Sequence, residues 1–141
     1  MPRVRRRQVV LCLAAGLFVG LAAPRAHAGS YLERAALLLE QARREGDVLM
    51  VRHGDKELVA VVRALTDARV KAARKMSVPP AIAKAHPHLM LVLEAYDRAS
   101  LSAEQNNPKK VVEQVLAARA EEKIFRTLMA QLGHPVAEGK R

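Results

Sequence analysis

The sequence predicts an all-α fold, an antiparallel up-down four-helix bundle preceded by a cleavable signal peptide. Three observations carry this. Apolar residues recur at steps of three and four through four separate segments. Helix start and stop residues stand between those segments. No segment alternates with the period of two that a strand requires, so strand content is expected to be near zero.

Residues 1–28 read as an export signal. Arg3, Arg5, Arg6 and Arg7 form a basic start, and an apolar run follows from Val9 to Ala23. Pro24 breaks that run, and Ala26-His27-Ala28 places small residues at the −3 and −1 positions of a cleavage site. The run is shorter than the ~20 residues of a bilayer span, which favours cleavage over anchoring. Arg6-Arg7 is compatible with either the general or the twin-arginine export route. The location expected is therefore periplasmic or secreted.

Cleavage changes the bulk properties. Of 141 residues, removing 28 leaves 113, the size of one domain with one core. Arg3, Arg5, Arg6, Arg7 and Arg25 leave with the signal and no acid does, so a net charge of +10 falls to +5. The only cysteine, Cys12, leaves too, so packing rather than disulfides must hold the domain. Aromatic residues make up 3% of the chain and Trp is absent. That is too few for the stacking platforms of single-stranded nucleic-acid binders, and no nucleic-acid partner is expected.

The bundle is assigned to residues 29–135. Ser30 with Glu33 forms a capping box for a first helix reaching about Arg52. Its inner stripe is Leu32, Ala35, Leu39, Ala42, Gly46 and Leu49, with Gly46 marking a close approach to a neighbour. His53-Gly54 ends it, and Asp55 caps the second helix. There Leu58, Val61, Val62, Leu65, Ala68, Ala72 and Met76 repeat at helical spacing, up to the Pro79-Pro80 break. A short turn over 80–85 precedes a third helix from Pro87 to about Glu104, with Leu89, Val92, Leu93, Tyr96, Ala99 and Ser100 inward. The Tyr96 hydroxyl is expected at the bundle rim. Asn107-Pro108 opens the fourth helix. Its stripe is Val111, Val115, Ala118, Phe125, Met129 and Leu132, and Gly133 stands at its C′ position. Glu122 falls on this stripe. It is expected to turn to the edge and pair with an arginine or lysine, because a lone buried carboxylate is costly. Residues 136–141 read as a flexible C-terminal tail.

No catalytic constellation stands out, and an enzyme is not expected. Serines lack a Gly-x-Ser-x-Gly context, and the His-Glu-x-x-His zinc motif is absent. Two other chemistries are readable. Met50, His53, Met76, His86, His88 and Met90 offer imidazole and thioether groups, a set that suits copper and also the axial positions of haem. Up-down topology would bring Met76 to the His86–Met90 cluster, whereas helix-end caps and core filling explain the same residues without a ligand. Arg69, Lys71, Arg74, Lys75 and Lys84 form a basic face for an envelope protein or another anionic surface. The reading reached from sequence is an exported, non-enzymatic interaction or accessory factor, with an extracytoplasmic copper- or haem-binding bundle as its rival.

Overall fold

The computed structural model describes residues 23–138, with side chains from residue 29 onward. The described residues form four helices and no strand: α1 (Ala23–Arg52), α2 (Lys56–Arg74), α3 (His86–Glu104) and α4 (Pro108–Gln131). A single 3-10 turn, Pro80–Ile82, lies between α2 and α3. The signal-peptide assignment falls on residues 1–22, which lie outside the described residues, and on 23–28, described only as helical backbone.

Helix boundaries follow local chemistry. The Asp55 carboxylate accepts a hydrogen bond from the Leu58 amide at 3.1 Å and starts α2. Asn107 does the same for α4 through the Lys110 amide at 3.1 Å, with Pro108 at the first helical position. Both α3 and α4 end in a left-handed residue. At Asn106 (φ 56°) the Asn107 amide reaches back to Ser102, and at Gly133 (φ 80°) the His134 amide reaches back to Met129. The start of α1 departs from expectation. The helix runs continuously from Ala23, so Ser30 is interior to it and does not act as its cap.

Cross-helix pairs fix the topology. Arg63 of α2 pairs with Asp97 and, at 3.9 Å, with Glu104 of α3, while Arg74 pairs with Glu94 at 3.1 Å. Numbers rise along α2 as they fall along α3, so the two run antiparallel. His88–Glu121 and Arg98–Gln114 show the same for α3 and α4. Tyr31 meets His86, and Gly46 meets Tyr96, so α1 and α3 run parallel. α3 touches the other three helices, and α2 and α4 flank it with scarcely any contact between them.

The core holds Tyr31, Leu39 and Leu49 of α1, Leu89, Leu93 and Tyr96 of α3, and Val111, Val115, Phe125 and Met129 of α4. α2 corrects the sequence reading. Its buried residues are Val59, Val62, Thr66, Arg69, Val70 and Ala73. The stripe Val61, Leu65, Ala68 and Ala72, expected inward, faces out, with Leu58 half-buried. Thr66 and Arg69 explain the rotation, because their partners lie on α3 and α1. The Thr66 hydroxyl is 2.9 Å from that of Ser100 and 3.0 Å from the Asp97 carboxylate. Arg69 holds Glu45 through two bonds of 2.5 and 2.6 Å.

The tail is held at its start. Arg126 donates to the carbonyls of Val136 at 3.2 Å and Ala137 at 3.3 Å, and Val136 packs against the core. The free segment expected from Val136 is therefore tied over its first two residues.

Candidate functional site

The basic face gathers at one end of the bundle. Lys71, Arg74 and Lys75 occupy the last turns of α2 and the residue after it, where the carbonyl end of the helix dipole favours cations. Lys84 follows the 3-10 turn in the same connection, and all four are exposed. Lys71 bonds Asp67 at 2.6 Å and Arg74 bonds Glu94 at 3.1 Å. Lys75 and Lys84 form no ion pair among the described residues. Arg69 does not belong to this face. Its side chain is 6% exposed and bound to Glu45, so the fold uses that charge internally. The exposed cations at this end are thus Lys71, Arg74, Lys75 and Lys84.

The six His and Met residues fall at two ends. Met50 and His53 close α1, beside the far ends of α2 and α3. Met76, His86, His88 and Met90 lie where α2 ends and α3 begins. The length of α3 separates these groups by about 25 Å, so they cannot form one site. Both histidines at the α3 start already have partners. His86 Nδ1 is 3.0 Å from the Tyr31 hydroxyl, with the rings edge to face at 5.8 Å. Burial pulls the His86 imidazole below its ordinary value of 6.5 and pushes the Tyr31 phenol up to about 12. His88 Nδ1 bonds the Glu121 carboxylate. Met50, Met76 and Met90 are half-buried against the core, as flexible fillers are. His53 instead borders a cleft of ≈ 260 Å³, shared with Lys56, Val59, Ala60, Ala103, Glu104 and Asn106. Among the described residues, no three His, Cys, Asp or Glu side chains gather as a metal site would need.

A polar group lies deeper, between α1, α3 and α4. Glu122 stays on its seam at 4% exposure and pairs with Arg126 at 2.8 Å. The expected type of partner is present, but the expected shift to the edge is not, because Arg126 reaches inward along the helix. The Tyr96 hydroxyl is buried, not at the rim, and has no hydrogen-bond partner among the described residues. Burial pushes this phenol up to about 12, with the Glu122 charge adding to the rise. Arg119 pairs with Asp47 through one terminal nitrogen while its buried Nε has no partner among the described residues. Sequence reading found Glu122 by its position in the stripe. It missed Arg119 and Arg126, which look like ordinary surface cations until the fold turns them inward. No residue of this cluster borders the cleft, and only the Arg119–Asp47 pair joins two helices, α4 and α1.

Comparison with protein-family models, with curated proteins and with solved structures returned no match. The functional reading therefore rests on the residues themselves.

Proposed function

We propose that this protein is an exported, non-enzymatic interaction or accessory factor, and that Lys71, Arg74, Lys75 and Lys84 meet an anionic surface of an envelope protein. One observation carries the reading. These four exposed cations converge at a single end of the bundle, and Lys75 and Lys84 have no acidic partner among the described residues. Unneutralised charge at a helix terminus raises the local concentration of anionic groups and speeds encounter with them. The signal pattern of residues 1–28 supports placing that encounter outside the cytoplasm. Removing those residues would leave every core residue named above in place, since that core begins at Tyr31.

The test is capture from envelope extract with immobilised protein. Lys71→Glu with Lys75→Glu is expected to abolish recovery of the partner. Lys109→Glu with Lys110→Glu, at the start of α4 and the opposite end of the bundle, makes the same charge change and is expected to leave recovery intact. Equal recovery with both double variants would reject the basic end as the contact.

A further inference from the structure

We propose that the outward stripe of α2, made of Leu58, Val61, Leu65, Ala68 and Ala72, is the contact face of a homodimer in which two α2 helices lie antiparallel. Its spacing alternates strictly between three and four residues, the pattern of a helix-pairing seam. Val61 is 57% exposed and Leu65 46%. No described residue covers them, because α2 spends its opposite face on α3 and the Arg69 edge on α1. Measured around the helix from Arg69, the stripe lies on the side away from the core. Val48 of α1, three residues beyond Glu45, is also exposed.

Other exposed apolar residues do not form such a seam. Val112, Leu116 and Ile124 of α4 are separated by multiples of four, and steps of four drift around a helix instead of tracking one line. A 3-4 alternation holds one line and suits a straight partner.

Shape and charge identify the partner as a second copy. About a midpoint between residues 66 and 67, antiparallel pairing sets Leu65 against Ala68 of the other copy and Val61 against Ala72, large against small at each layer. It also sets Glu57, on the flank of the first turn, beside Lys75 of the second copy, at both ends of the contact. Parallel pairing would instead oppose Glu57 to Glu57 and Lys75 to Lys75. A two-fold interface must complement itself, and this surface does so in the antiparallel sense alone. A face about 28 Å long and somewhat wider than one helix gives roughly 500 Å² per protomer. That is below the ~800 Å² of a standard interface, so the dimer is weak and concentration-dependent.

Sedimentation equilibrium of the purified protein over a wide concentration range tests this. A reversible monomer–dimer equilibrium is expected. Leu65→Glu, a change at an exposed position, should weaken association about tenfold or more while the helical circular dichroism stays unchanged. Glu57→Lys and Lys75→Glu should each weaken it about threefold, and the double exchange should restore it. Restoration is specific to antiparallel pairing and separates contact from misfolding. A protein that stays monomeric at millimolar concentration, or a dimer indifferent to Leu65→Glu, would overturn the proposal and leave the stripe to some other occupant.

Discussion

Gly46 sets how closely α1 approaches α3. A Cβ built there would lie 2.3 Å from Cε1 and 2.9 Å from Cδ1 of Tyr96, inside any permitted contact. Alanine at this position would gain about 1 kcal/mol of helix propensity. The buried ring cannot retreat, because Tyr96 is 1% exposed, so overpacking outweighs that gain. Gly46→Ala is expected to lower stability by about 1–3 kcal/mol, read as a shift in the urea midpoint. Gly46→Ala combined with Tyr96→Leu is expected to recover part of the loss, and a stabilised single variant would contradict the contact. Tyr31 and His86 provide a second test at this scale. Because burial depresses the His86 value, the unfolded chain binds the proton more readily. The contribution of His86 is therefore complete above pH 6.5 and is lost as pH falls toward its lower folded value. Replacing His86 with Gln should flatten the stability–pH curve in that window, and an unchanged slope would assign the dependence to other groups.

At the scale of the element, α2 shows what the sequence can and cannot reveal. Its start was readable because capping is local: Asp55 binds an amide three residues away. The same holds for Asn107 at α4 and for Gly133 beyond it. The inward face was not readable. α2 carries two apolar rows, and the more regular one, Leu58 to Ala72, attracted the core assignment. The other row contains Thr66 and Arg69, polar residues that become core residues only when Asp97, Ser100 and Glu45 arrive from elsewhere in the chain. Periodicity cannot see those partners. The same limit hid the rim-to-core shift of Tyr96 and the inward turn of Arg119. Arg69→Met is expected to cost about 3–5 kcal/mol, because it strands the largely buried Glu45 carboxylate. Adding Glu45→Leu should restore most of that stability. A single-variant cost typical of surface pairs, below about 1 kcal/mol, would mean that Arg69 does not orient α2.

At the scale of the whole molecule, the basic end and the α2 stripe adjoin and share Lys75, which the dimer would pair with Glu57 of the second copy, leaving Lys71, Arg74 and Lys84 to the anionic partner. The cations offer long-range attraction at a bundle end, and the apolar row offers a short-range surface along its side. Both depend on α2 turning its polar row inward, since the opposite rotation would bury the stripe. The six His and Met residues divide by the same topology. An up-down path sends Met50 and His53 to one end and brings Met76 to the His86–Met90 cluster at the other, as expected from the order of the helices. Helix count and order were legible from periodicity and caps alone, and the meeting of Met76 with the His86–Met90 cluster followed from that order. No described helix is long and apolar enough to cross a membrane.

Export is the premise on which the functional reading stands. Cleavage after Ala28 would cut the N-terminal part of α1 and leave Tyr31 as the first core residue, with Ser30 and Glu33 free to form the capping box that the continuous helix does not use. The direct measurement is the intact mass of the protein recovered from the envelope fraction of its native host. A chain of 113 residues beginning at Gly29 is expected. The full 141-residue chain, found only in the cytoplasmic fraction, would contradict it.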